Sequence, residues 1–150
     1  MPPPSPDLAQ TLVHLAQTFI ALGEEIAAGG RLTPQLWGVL HQVGEAGDDG
    51  VSPSEIAAAS GTSRANVTKL VRGLVRRGLV RVGGNPADGR QKRLTCTASG
   101  RQVLARLNAE KARLLGAALD GLSPEERRAL HRVGARLLSR LGPRRLAGSR

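Results

Sequence analysis

Aromatic side chains are almost missing from this chain: Phe19 and Trp37 are the only two, and there is no tyrosine. That argues against a single-strand binder that stacks bases on aromatic platforms. Cysteine occurs once, at Cys96, which excludes an internal disulfide and any multi-cysteine zinc site. No apolar run approaches the roughly 18–20 residues needed to span a bilayer. The opening "MPPPSPD" has no basic n-region and no apolar h-region, so a secretory signal is not expected and a cytoplasmic location without a membrane partner is. His14, His41 and His131 share neither a helix face nor a metal spacing, so no metal site is expected. There is no nucleophile elbow, phosphate-binding glycine loop or carboxylate pair at acid/base spacing, so neither an enzyme nor a cofactor is expected.

Negative charge is scarce as well. Twelve Asp and Glu face 22 Lys and Arg, for a formal net charge of +10 and a pI near 11.6. Such a balance points to a polyanionic partner. The excess is local: residues 60–93 hold nine Lys/Arg against Asp88 alone, whereas residues 1–59 hold only Arg31 against seven acids.

What is present is helical periodicity. Leu8, Leu12, Leu15, Phe19, Leu22 and Ile26 recur at alternating steps of four and three, an apolar seam of heptad type over residues 7–28. "AAGG" closes that helix, with Gly29 or Gly30 expected at its C-cap. In "RLTPQLWGVLHQVGEAG", Thr33 is the expected N-cap and Pro34 the first helical residue, with Leu36, Val39, Leu40 and Val43 inward. "SPSEIAAASG" repeats the start signal, Ser52 and Glu55 forming a capping box. After a turn comes "TSRANVTKLVRGLVRRGLV". "GLVRV" and "KRLTCT" are β-prone and flank the turn formers "GGNPADGRQ". Two further helices follow, the second opened by a capping box from Ser123 to Glu126. The expected fold is therefore mainly α, a winged helix-turn-helix of six helices and a two-stranded wing. Residues 1–32 and 98–142 form outer dimerisation helices, 33–97 the central lobe, and 143–150 a mobile basic tail.

The fourth helix explains the charge. At about 100° per residue, Val67, Leu70, Val71 and Leu74 share one face, while Ala65, Thr68, Lys69, Arg72 and Arg76 share the other. Five cations and no acid lie in residues 62–80, and duplex DNA is the expected counter-charge. With Ser63 as N-cap, Arg64, Ala65, Thr68 and Lys69 are placed to read base edges, and Asn66 stands at the edge of that face. Arg72, Arg76 and Arg77 fit phosphates or the wing. A solvated cationic face is the plainer reading of the same pattern. Arg90, Lys92 and Arg93 form a basic hairpin tip suited to the minor groove. Asp88 either aims Arg90 or caps the turn.

These stretches together resemble the MarR family of winged-helix regulators. The resemblance rests on "LTPQLWGVL", "SEIAAASGTSRANVTKLVRGLVRRGLV", "NPADGRQKRLTCTASG" and "GLSPEERRAL", in order over roughly residues 8–141. It implies a homodimer joined through the first and last two helices, a pseudo-palindromic operator, and release by a small, often aromatic anion. The seams Leu8, Leu12, Leu15, Phe19 and Leu130, Val133, Leu137, Leu141 are then the dimer interface. Gly89 stands where the family's wing usually has its first arginine, and Cys96 where it often has leucine. Cys96 reads best as a small buried hydrophobe. His14 and Gln17 with Trp37 and His41 make a candidate effector pocket; core packing is the alternative for Trp37. A non-specific architectural or ribosome-associated nucleic-acid binder is the competing function.

Overall fold

The structure, a computed structural model, describes residues 6–84 and 92–141. Its elements run α1 (Pro6–Gly29), α2 (Pro34–Glu45), a 3₁₀ turn (Gly47–Asp49), α3 (Pro53–Ser60), α4 (Arg64–Arg76), β1 (Val80–Gly84), β2 (Lys92–Cys96), α5 (Ala98–Leu119) and α6 (Pro124–Leu141). This is the mainly helical order the sequence predicts, with the wing between α4 and α5.

Local chemistry starts each helix where the sequence says it should. Leu36 N–H donates to Thr33 Oγ1 at 3.3 Å and Asn66 N–H to Ser63 Oγ at 3.1 Å. Ser52 and Glu55 exchange bonds of 2.7 and 3.2 Å, and Ser123 and Glu126 bonds of 2.8 and 3.2 Å. Each cap satisfies amides that have no partner within the helix. One terminus departs from expectation. The left-handed residue after α1 is Arg31, at φ 56°, and not a glycine. Leu32 N–H reaches Ala27 O and Arg31 N–H reaches Ala28 O, both at 2.9 Å. The paired bonds satisfy carbonyls at the end of α1, and Leu32, which follows, is buried in the core.

The core lies where α2, α3, α4 and the wing meet. Leu40, Val43, Ile56, Val67, Leu74 and Leu94 are its largest fully buried side chains, each contributing about 1.5–3 kcal/mol. The wing is antiparallel, with Val80 opposite Cys96 and Gly84 opposite Lys92. A third backbone segment joins it: Val51 N–H donates to Leu94 O at 3.1 Å, and Leu94 N–H to Val51 O at 2.9 Å. Gly50, at φ 69°, permits this approach, since a Cβ there would lie 2.9 Å from Leu94 O. The sequence does not announce this bridge, because a single-residue bridge leaves no periodicity.

Thr97 ties the wing to α5. Its hydroxyl donates to Gly78 O at 2.6 Å and accepts from Gly100 N–H at 3.0 Å. Gly100 packs so closely under β1 that a Cβ on it would overlap the Leu79 carbonyl oxygen.

The outer helices are sparsely covered. Only the C-terminal part of α1 (Ile26, Ala27) enters the core. Leu8, Leu12, Leu15 and Phe19 are exposed, as are Leu130, Val133, Leu137 and Leu141. α6 makes no extended contact with any other helix or strand of the chain. No described helix is long and apolar enough to cross a membrane.

Candidate nucleic-acid interface

The turn Gly61–Ser63 sets α3 against α4, with Gly61 left-handed at φ 63° and Thr62 N–H bonded back to Ala57 O at 3.2 Å. α4 then buries Val67, Val71, Gly73 and Leu74, while Leu70 is half-buried. Arg64, Lys69, Arg72 and Arg76 are exposed, and none has an acidic partner among the described residues. Four like charges on 13 residues repel one another along the rod.

The small polar residues at the start of α4 hold their own turn. Asn66 Nδ2 donates to Thr62 Oγ1 at 3.1 Å, and Thr68 Oγ1 to Arg64 O at 2.9 Å. Both oxygens of the Thr62 and Thr68 hydroxyls keep lone pairs for an incoming donor. Ala65 is exposed between them and leaves the surface flat.

The wing supplies the facing wall. Lys92 is exposed, and Arg81 is fixed by its Nε donating to Thr95 Oγ1 at 2.9 Å. Arg93, expected at the basic tip, is placed elsewhere. It lies half-buried on β2, with Nη1 2.9 Å from Glu55 Oε2 and 3.4 Å from Gly50 O. Its charge is spent locally, because the strand's alternation turns it back toward the first turn of α3. Asp88 and Arg90, and the tail 143–150, lie outside the described residues. The bond from Ser52 N–H, then the Ser52 hydroxyl and Arg93, hold the Glu55 carboxyl below its ordinary range.

Between α4, the start of α3 and the wing runs an open groove of about 980 Å³. Arg64, Arg72, Arg76 and Lys92 rim it, and Val71, Val75 and Val82 line its floor. The apolar floor was not legible in the sequence, since Val75 and Val82 become neighbours only when the wing folds back. A second crevice, of about 530 Å³, lies between the end of α1 and α5, near Glu25, Arg106 and Arg113.

The four residues of the candidate effector pocket line neither space. His14 is exposed on α1, 3.0 Å from Gln10 Nε2 through its Nε2, and Gln17 is exposed three residues on. Trp37 packs against the core with Lys111 Nζ 5.8 Å from its ring centroid, and its indole N–H has no partner. His41 Nε2 stands 3.5 Å from Glu45. Trp37 and His41 do share α2, but the chain alone does not enclose a cavity with His14 and Gln17. Cys96 is buried, its Sγ 3.9 Å from Leu40 O, and desolvation pushes the thiol pKa up against the pull of Arg101. The described residues gather no His, Cys, Asp and Glu cluster able to hold a metal.

A short helix, a tight turn, a cation-faced second helix and a β-hairpin beside it define a winged helix-turn-helix. The sequence model of the MarR family matches residues 32–91. No curated protein matches the chain by sequence. Among solved structures, the chain is similar to the MarR family transcription regulator SP03579, at 21% identity and a TM-score of 0.80, over 90% of this chain and 88% of that one. FabT of Streptococcus pneumoniae in complex with DNA gives 19% identity and a TM-score of 0.80, covering 90% and 95%. MarR of Staphylococcus aureus in complex with salicylate and kanamycin gives 18% and 0.77, covering 91% of each. At such identities the likeness is one of fold.

Proposed function

We propose that the chain is a cytoplasmic, homodimeric transcription regulator that binds a pseudo-palindromic operator. The observation that carries this reading is the unpaired cationic face of α4 beside the wing groove. Its counter-charge is the phosphate backbone, and α4 is the recognition helix in the major groove. Arg64, Ala65, Thr68 and Lys69, nearest its N-terminus, are assigned to base edges, with Ser63 and Asn66 holding the start of the helix. Arg72, Arg76 and Lys92 are assigned to phosphates, and Asp88 and Arg90 to the wing tip at the minor groove. Arg93 supports the wing from behind. The exposed seams of α1 and α6 supply the dimer interface, and half-sites lie about 34–36 Å apart. FabT's capture with DNA in a chain of the same fold supports this reading.

The test is selection of bound duplexes from a random pool by the purified protein. An enriched inverted repeat is expected. A pool that stays random, with equal affinity for all duplexes, would replace this reading with a non-specific architectural binder.

The regulator is further proposed to be a repressor that lets go of DNA on binding a small aromatic anion. The groove beside α4 suits such a ligand, with an aliphatic floor for a ring and arginines for a carboxylate. The structure of S. aureus MarR with salicylate supports the ligand class. Salicylate titrated into the DNA complex should release the duplex. A change in Trp37 fluorescence during that titration would place the ligand instead near Trp37 and His41.

A further inference from the structure

Seven of the fifteen described arginines hold the fold. Arg93, Arg113 and Arg127 pair with Glu55, Glu110 and Asp120. Arg77, Arg101 and Arg106 donate to the carbonyls of Gly73, Cys96 and Gly29, and Arg81 donates to Thr95. Apart from Arg31, the arginines whose side chains have no partner among the described residues form two rows. One is Arg64, Arg72 and Arg76 on α4. The other is Arg128, Arg132, Arg136 and Arg140 on α6, all exposed.

The second row is ordered. Its members recur every four residues, in steps of about 6 Å over about 18 Å of helix. Like charges at that spacing repel, so the row lacks a counter-ion just as α4 does. Glu125 lies beside only its N-terminal end, and Glu126 is held by its cap. At about 100° per residue, Arg128, Arg132 and Arg136 fall opposite the apolar seam Leu130, Val133, Leu137 and Leu141. Covering the seam with a second copy leaves Arg128, Arg132 and Arg136 in solvent, with Arg140 at the seam's border. α6 also makes no extended contact with α3, α4 or the wing, so the two cationic surfaces are separate.

We propose that the α6 arginine row is a second phosphate-backbone surface, which holds a duplex segment other than the one bound by α4. This rests on the DNA-binding reading for the first duplex. Guanidinium groups pair with phosphate oxygens bidentately, and the duplex offers one charge per about 1.7 Å of axis. An anionic membrane is the weaker match, because insertion needs the apolar face that the dimer covers.

The experiment tethers a 20-base-pair random-sequence duplex, saturates it with the full-length protein, and measures capture of a second, fluorescent duplex of the same length. Wild type should capture it. R128Q/R132Q/R136Q should lower that capture about tenfold or more at 0.1 M salt, with binding to the tethered duplex and dimer mass unchanged. R128K/R132K/R136K should retain most of it. If the triple glutamine variant fails to fold, R132E alone should give the same loss. Undiminished capture by the folded glutamine variant overturns the proposal. So does wild-type capture of phosphatidylglycerol vesicles in place of the duplex. Loss of binding to the tethered duplex itself would strike the α4 reading, and is scored separately.

Discussion

Arg93 Nη1 stands 2.9 Å from Glu55 Oε2, joining the second wing strand to the first turn of α3 across 38 residues of sequence. The same guanidinium reaches Gly50 O, beside the Val51–Leu94 bridge. The base of the wing is thus fastened to the helix-turn-helix by a side-chain latch as well as by backbone bonds.

Releasing that latch should loosen the wing without unfolding the lobe. Arg93→Ala is expected to weaken duplex binding on the order of threefold, the scale of a partly exposed ion pair. Anisotropy titrations check the affinity, and circular dichroism the fold. The Glu55 carboxyl is held below its ordinary value of 4.5, so the stability it contributes is present above that value and is lost as pH falls through the lower folded one. Glu55→Gln should therefore flatten the acid side of the melting temperature against pH profile. An unchanged profile would show that the bonds of Glu55 to Ser52, and behind them to Arg93, carry no such linkage.

The α4 cations should separate by role. Arg72→Ala and Arg76→Ala are each expected to reduce the slope of log K against log salt by about 0.9, uniformly over sequences. Arg64→Ala should narrow the gap between selected and random duplexes by about 1–3 kcal/mol. Titrations at four salt concentrations on both duplexes distinguish the two outcomes. A uniform loss for Arg64→Ala would remove it from base reading.

Placing a charge on each exposed seam should separate the subunits. Leu12→Glu with Leu137→Glu is expected to convert a dimer into a folded monomer at micromolar concentration, and to weaken operator binding by at least tenfold as the half-sites lose their tether. Sedimentation equilibrium reads the mass. A wild-type protein that is itself monomeric at that concentration would contradict the assembly.

Gly100→Ala tests the junction of α5 with β1. Its methyl group would meet the Leu79 carbonyl oxygen, a backbone atom that cannot rotate away. Overpacking of this kind costs about 1–3 kcal/mol, a fall in melting temperature of roughly 2–12 °C for a chain of this size. Thermal unfolding measures it, and a shift below one degree would mean that the helix start moves freely.

What could be read in advance was what is local. Thr33, Ser52, Ser63 and Ser123 announce helix starts within three residues of themselves, and the α4 faces follow from one helical period. Arg31 shows where local reading stops. Two glycines precede it, yet it is Arg31, with the buried Leu32 after it, that turns left-handed. Arg93 makes the same point for the site. As sequence it belongs to a basic run, and only the pairing of Val51 with Leu94 brings Glu55 within its reach. The groove floor also depends on strand register, which Val75 and Val82 do not signal on their own.

The hydroxyl of Thr97 grips the last turn beyond α4 through Gly78 and the first turn of α5 through Gly100. One side chain thus joins the start of α5 to the turn that follows α4. If two copies pair as proposed, the pitch of α5 would set the distance between their α4 helices, and Thr97→Val, which removes both bonds, should broaden it.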